Sequence, residues 1–361
     1  MPITVLDVEP PEPGVPQEIE PGLYWIRMPL ALALNHVNLW LIHDGKMLSI
    51  IDTGMDTEAT RAAWSTLLEG RFAGVPVRRI IATHLHPDHV GLAHWLCERC
   101  QAPLVMTLGE YLSARLIQGR VAPADPASIR SFYGEHGGGK RELDALEGRA
   151  RFYVETVPDL PLAFERLEEG QRIRMGGLWE IWIGGGHSPE HAAFWSLERN
   201  VFIGGDLLLP RISSNISVFS LEPVGDPLAA YLRTLRRLRD LPDGALVLPS
   251  HGRPFRGARF RVAELLVHHG ERLERLLEAL SGVSRTAAEL IPVLFERKLD
   301  RHEIGFAFGE TLAHLNRLWL SGSIERVVEP GRIRFRAPVT TLEERQRAAQ
   351  LALEQSGTAE C

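Results

Sequence analysis

Cysteine is scarce in this chain: three in 361 residues, at Cys97, Cys100 and Cys361. That is no disulfide framework, which fits a reducing cytoplasm. Cys97-Glu98-Arg99-Cys100 is a single Cys-x-x-Cys without a second pair, so these residues read as packing or surface thiols. Long apolar runs are also missing. Nothing approaches the roughly 18 consecutive apolar residues a bilayer span needs, so no membrane association is expected. Met1–Asp7 has neither a basic stretch nor an apolar core, and no secretory leader is expected. Neither sign of charge dominates. The net charge of −6 disfavours bulk nucleic acid or an anionic membrane as a partner.

What is present is an ordinary apolar fraction, 45%, in a chain long enough for two domains. Residues 1–20 are Pro- and Glu-rich without periodicity and read as an irregular N-terminal arm. From Gly22 the pattern is strand-like over Leu23–Met28, Val37–Ile42 and Met47–Ile51, with an amphipathic helix predicted over Thr57–Leu68. Residues 107–165 break this rhythm with two predicted helices, Tyr111–Gln118 and Pro126–Tyr133, around Gly137-Gly138-Gly139. They read as a helical lid inserted between core strands. Strands resume at Arg172–Arg174, Trp179–Ile183, Ala193–Ser196, Val201–Ile203 and Ala245–Leu248. Beyond residue 256 come three helices, Ala258–Leu280, Thr286–Leu294 and Glu303–Ser321, then a hairpin over Ser323–Val328 and Arg332–Arg336. That is the order of a winged helix, so 21–255 and 256–340 are expected to be separate domains, with 341–361 a polar tail.

The chemistry concentrates at Thr83-His84-Leu85-His86-Pro87-Asp88-His89, directly after the apolar run Arg79–Ala82. Three further candidate ligands each follow a predicted strand: His187, Asp206 and His251. Imidazole nitrogens and carboxylate oxygens suit zinc, and also iron or manganese. Ligands gathered at strand ends are what a metal site built on a rigid sheet requires.

His84-x-His86-x-Asp88-His89 followed by His187, Asp206 and His251 resembles the metallo-β-lactamase hydrolase superfamily over residues 20–255. Asp52-Thr53-Gly54, Gly186-His187-Ser188-Pro189 and Gly204-Gly205-Asp206 are similar to its loops. The resemblance implies an α/β (α+β) fold, a four-layer αβ/βα sandwich with a smaller, mostly helical winged-helix-like C-terminal domain. It implies that His84, His86 and His187 hold a first divalent ion. Asp88, His89 and His251 would hold a second, with Asp206 bridging. His86 stands where the flavodiiron oxygen reductases carry Glu, and the 45 positions from Asp206 to His251 leave no room for a large nuclease cap. Asp206 lies where the simplest lactamases use cysteine, which disfavours antibiotic hydrolysis.

Other positions carry weaker expectations. His191, four residues after His187, reads as a neighbour of the site if that segment is helical, and His36 opens a strand that could edge it. Arg211, just beyond Asp206, could bind a substrate carboxylate or phosphate. Tyr111 and Tyr133 could donate to an oxyanion from the lid. Gly134–Lys140 matches the front of a phosphate loop, but Arg141 replaces the required hydroxyl, so a turn is expected. His94, His268, His269, His302 and His314 read as surface or packing residues.

The expectation is therefore a cytoplasmic binuclear hydrolase, with two zinc ions and Asp88 as the catalytic carboxylate. Metal-bound hydroxide would cleave a small organic ester, thioester or lactone. Leu112, Leu116, Ile117, Ile129, Phe132, Tyr133 and Phe152 would offer its acyl group an apolar lid. The alternatives are a phosphodiesterase or endoribonuclease gripping RNA through the C-terminal module, and a catalytically idle, metal-bound interaction scaffold. Sixteen Arg and Lys against fifteen Asp and Glu from Arg256 onward weaken the RNA reading, although Arg332, Arg334 and Arg336 alternate along one strand. A homodimer is a further expectation, from the N-terminal arm and the long C-terminal helices.

Overall fold

A computed structural model describes residues 1–30, 34–121, 124–301 and 303–355. His302, Cys361 and the end of the polar tail lie outside the described residues.

Strand Leu23–Pro29 shows how the core is built. Successive side chains in a strand point to opposite faces. Leu23 and Trp25 enter one apolar cluster, while Tyr24, Ile26 and Met28 enter another. A strand apolar on both faces must lie between two layers. Its antiparallel neighbour His36–His43 repeats the pattern, with Trp40 and Ile42 on one side and Val37, Leu39 and Leu41 on the other.

Two seven-stranded sheets result. The first runs, in spatial order, Thr4–Val5, Phe255–Arg256, Leu246–Pro249, Val201–Gly205, His191–Ser196, Leu178–Gly184 and Arg172–Arg174. The second runs Gln17–Glu20, Leu23–Pro29, His36–His43, Leu48–Ile51, Val77–Ile81, Leu104–Met106 and Glu165–Arg166. Their inner faces share a core containing Trp25, Trp40 and Ile81 from one sheet and Trp179, Phe194 and Leu248 from the other. Helices Glu58–Glu69 and Ala93–Cys100 cover the outer face of the second sheet through Trp64, Leu67 and Leu96. Helix Pro227–Leu238 and the C-terminal helices cover the first. The order helix, sheet, sheet, helix is the expected four-layer sandwich.

Three regions depart from the sequence reading. Residues 1–20 are not an irregular arm: Thr4–Val5 pairs with Phe255–Arg256, and Gln17–Glu20 pairs with Leu23–Trp25. These strands are too short to show periodicity, and edge positions tolerate the surrounding prolines. The 107–165 segment holds a third helix, Lys140–Thr156, obscured in sequence by Gly148 and the preceding glycine run. Gly137 adopts φ +91° in the turn between Pro126–Glu135 and that helix, so a helix, not a strand, precedes the phosphate-loop-like stretch. Helix Leu342–Glu354 buries Ala349 and Ala352, and the buried Arg317 Nε donates to Ala352 O at 2.7 Å. The polar tail is thus docked through that helix. The C-terminal region has three helices, Ala258–Leu280, Ala287–Leu294 and Glu303–Leu320, before the hairpin Glu325–Glu329/Arg332–Arg336. No helix among the described residues is long and apolar enough to cross a membrane.

Candidate metal centre

Val77–Ile81 runs parallel to Leu48–Ile51, and Val201–Gly205 runs parallel to Leu246–Pro249. Their C-terminal ends therefore release Thr83–His89, Asp52, Asp206 and His251 toward one edge of the sandwich. Buried Asn38 ties the two sheets there. Its amide donates to the carbonyls of Pro249 and Gly252, each at 2.8 Å, and its own oxygen accepts from Trp25 Nε1 at 2.9 Å.

The predicted ligands meet in two groups, His84, His86, His187 and Asp206, and Asp88, His89 and His251. His84 Nε2 lies 2.9 Å from His86 Nδ1 and 3.3 Å from His187 Nε2. His187 Nε2 is 3.3 Å from Asp206 Oδ2. In the second group, Asp88 Oδ2 stands 3.4 Å from His251 Nε2 and 3.6 Å from His89 Nε2. Asp206 also reaches this group, at 3.6 Å from His251 and 3.9 Å from His89.

Four of the imidazoles are held from behind, which leaves Nε2 as the converging atom. His187 Nδ1 donates to Asn215 O at 2.8 Å, and His251 Nδ1 donates to His36 O at 2.9 Å. His89 Nδ1 donates to Asp52 Oδ2 at 2.8 Å. Thr83 Oγ1 donates to Asp52 Oδ2 and accepts from His84 Nδ1 at 3.0 Å. Asp52 sits at φ +66°, a left-handed conformation that Asp tolerates better than most residues. His89 Nε2 and Asp206 Oδ1 are buried with no hydrogen-bond partner among the described residues. Buried polar atoms are rarely left so. Converging lone pairs and orphaned ligand atoms fit divalent ions.

The electrostatics agree. Burial, helped by the surrounding imidazoles, drives His84 well below its ordinary value, so it stays a neutral donor. Burial pushes the Asp88 carboxyl up, but His89 and His251 outweigh it and hold the group at about 2. Burial likewise lowers His89, yet Asp88, Asp52 and Asp206 raise it to about 10. The His89 and His251 rings are thus held by negative charge that a cation would also neutralise.

The metallo-beta-lactamase superfamily pattern matches residues 33–251, which include all seven of these residues. The chain belongs to the metallo-beta-lactamase superfamily. A second pattern, the metallo-beta-lactamase-like C-terminal domain, matches residues 273–338. The chain is 42% identical to a beta-lactamase domain protein of Burkholderia ambifaria, with a TM-score of 0.84, over 92% of this chain and 96% of that one. It is 32% identical to a metallo-beta-lactamase family protein of Thermus thermophilus, with a TM-score of 0.74, over 89% and 100%. The probable metallo-hydrolase YqjP of Bacillus subtilis is 25% identical over 338 residues, 86% of this chain and 96% of that protein. The chain is thus a member of a metallo-hydrolase family with the donor set for a binuclear centre.

The weaker candidates are placed differently. His191 is not helical; it opens strand His191–Ser196. It is fully buried, accepts from Asp206 N at 3.1 Å and stacks on the His84 ring with centroids 4.6 Å apart. Its ring packs behind the ligands, and Gly205 leaves room for it: a Cβ there would meet His191 Cε1 at 2.4 Å. His36 Nε2 accepts from Gly252 N at 3.0 Å, so both its ring and its carbonyl brace the His251 loop. The Tyr111 and Tyr133 hydroxyls donate to Pro161 O at 2.8 Å and Val218 O at 3.1 Å, so neither is free to serve an oxyanion. Arg211 is exposed.

Sequence reading missed Glu110. This buried carboxylate accepts from Leu85 N at 2.9 Å, Ser188 Oγ at 2.6 Å and Glu190 N at 2.7 Å. It thereby clamps the His84–His86 loop to the His187 loop. Nothing at an isolated helical Glu signals this in sequence. The proposed apolar lid is also largely spent. Ile129, Phe132 and Tyr133 pack into the C-terminal core, while Leu112 is 50% exposed.

Proposed function

We propose that this protein is a binuclear metal-dependent hydrolase, zinc-loaded, acting on a small organic ester, thioester or lactone. The observation that carries the reading is the convergence of five imidazoles and two carboxylates on two points that share Asp206. His84, His86 and His187 would hold one ion, Asp88, His89 and His251 the other. When bound, such a pair supplies Lewis acidity and brings the pKa of water near neutrality. Asp88 turns Oδ2 toward His251 and His89, and its ionised carboxylate is suited to orient the attacking water and accept its proton. Asp52, Thr83, Asn215 and His36 fix the ring orientations.

The phosphodiesterase reading gains little support from the C-terminal strand. Arg336 pairs with Glu325 at 2.6 Å and Arg334 with Glu289 at 3.5 Å, so much of the arginine stripe is already neutralised.

The test is a panel offered to zinc-loaded protein: an acyl thioester, an acyl lactone, a p-nitrophenyl ester, a β-lactam and bis(p-nitrophenyl) phosphate. Chelator-sensitive cleavage of the acyl substrates is expected, with turnover lost in Asp88→Asn and the second ion bound more weakly. Cleavage untouched by Asp88→Asn would overturn the mechanism, and preference for the phosphodiester would overturn the substrate class.

A further inference from the structure

Helix Lys140–Thr156 brings two side chains to the metal loop from one face. Tyr153 donates its hydroxyl to Leu85 O at 2.8 Å, between ligands His84 and His86. Arg149 lies four residues earlier, about 6 Å along the axis and on the same helical face. Its guanidinium carbon sits 3.8 Å from the centroid of the Phe306 ring and 5.7 Å from that of Phe219. Phe306 comes from the C-terminal helix Glu303–Leu320, and Phe219 lies on the loop whose Asn215 carbonyl holds His187. Arg149 is therefore cushioned at the junction of the insertion, the C-terminal helices and the loop beyond Asp206. Its charge is among those acting on the His86 ring.

Among the described residues, no carboxylate pairs with Arg149 and no group accepts a hydrogen bond from it. Burial lowers it to about 10, opposed by the Tyr133 phenol and by no carboxylate. A partly buried guanidinium without a counter-ion is costly unless an anion arrives. A planar, aromatic-backed guanidinium suits a carboxylate or phosphate, which it can grip through two parallel hydrogen bonds. Two other arginines near the C-terminal core have carboxylate partners: Arg317 pairs with Asp226 at 2.6 Å and Arg272 with Glu310 at 3.0 Å.

We propose that Arg149 is the anion-recognition residue of the site, binding a carboxylate or phosphate on the non-scissile part of the substrate. This rests on the hydrolase reading and narrows it, replacing a purely apolar acyl group with a negatively charged one.

Two matched pairs separate the sources of charge. Mono-p-nitrophenyl glutarate and p-nitrophenyl butyrate differ by a carboxylate; acetyl-4′-phosphopantetheine and acetyl-pantetheine differ by a phosphate. Wild-type, Arg149→Met and Arg149→Lys proteins, metal-loaded and checked by circular dichroism, are compared on all four. The expected result is a preference for the charged member of at least one pair. Arg149→Met should raise its KM roughly 30-fold or more, near the lower edge for losing one partner of a buried charge pair. The neutral member should be unaffected, and Arg149→Lys should recover part of the preference. Equal effects on both members of each pair, or none, would overturn the proposal.

If no member of either pair is cleaved, the hydrolase reading fails for these substrates while Arg149 is still tested. Calorimetric titration of glutarate and inorganic phosphate into the three metal-loaded proteins then decides. Binding of either anion at least tenfold weaker in Arg149→Met than in wild type supports the anion site. Equal affinities, or no binding to wild type, refute it.

Discussion

Among the described residues lie two clusters of buried histidines, and one of them has the convergent donors of a metal site. At the sandwich edge, His84, His86, His89, His187 and His251 aim ring nitrogens at shared points occupied by Asp88 and Asp206. In the C-terminal region, His314 Nδ1 donates to Glu310 O at 2.8 Å, and its Nε2 accepts from His269 Nδ1 at 3.1 Å. There the His269 and His314 rings bond to each other and to a backbone carbonyl, His269 Nε2 has no hydrogen-bond partner among the described residues, and the Glu310 carboxylate pairs with Arg272 instead of meeting the rings. Both clusters are largely buried and both contain an acidic residue. The difference is convergence: lone pairs that meet at a point define a site, whereas lone pairs that meet protons define packing.

The sharpest way to break this contrast is to delete the shared carboxylate. Asp206→Ala should lower bound metal from two ions per chain, read by elemental analysis. Turnover should fall by more than about 100-fold, since even residues behind metal ligands are worth 10–100-fold. His314→Asn should leave metal content unchanged. Metal loss in His314→Asn would erase the distinction.

Glu110→Ala comes next, because it leaves three buried donors without an acceptor. A destabilisation on the order of 3 kcal/mol or more is expected from urea unfolding. Unchanged stability would mean that the two ligand loops do not depend on this clamp.

The smallest effect separates the clusters by pH. Burial, reinforced by Arg272, holds His314 down at about 3 and His269 well below its ordinary value. His268, Arg272, Tyr231 and Glu310 face this pair. Below about pH 6.5 the unfolded chain takes up protons that the folded rings refuse, so stability falls as pH falls. The expected slope is about 1 kcal/mol per pH unit per histidine between pH 6 and 4, and His314→Asn should flatten it. An unaltered slope in that variant would show that the pair contributes nothing to acid sensitivity.

The legible parts were those whose signal is local. Leu23–Pro29 and His36–His43 show apolar residues at strand length, and Thr83–His89 carries four potential ligands beside an apolar run. Helix Lys140–Thr156 was hidden because Gly148 interrupts a mainly charged segment held by packing against Glu303–Leu320. The edge strands Thr4–Val5 and Gln17–Glu20 were hidden because their partners supply their reason to be strands. A helical turn was the local route that would set His191 beside His187; it lies beside the ligands from strand His191–Ser196 instead, since a polar residue at the first position of a strand has no periodic neighbour before it.

By itself the sequence determined the ligand chemistry, since imidazole and carboxylate at successive strand ends limit what can bind there. The order of those motifs carried the resemblance that implied the sandwich, and the physical reason for it is that strands apolar on both faces must be covered twice. Only the tertiary structure decided what stands behind and beside the metals. Glu110 meets Ser188, His36 meets His251, and Arg149 meets Phe306 across separations of 78, 215 and 157 residues. No local pattern encodes such pairs, because their energy is realised only when distant layers have packed.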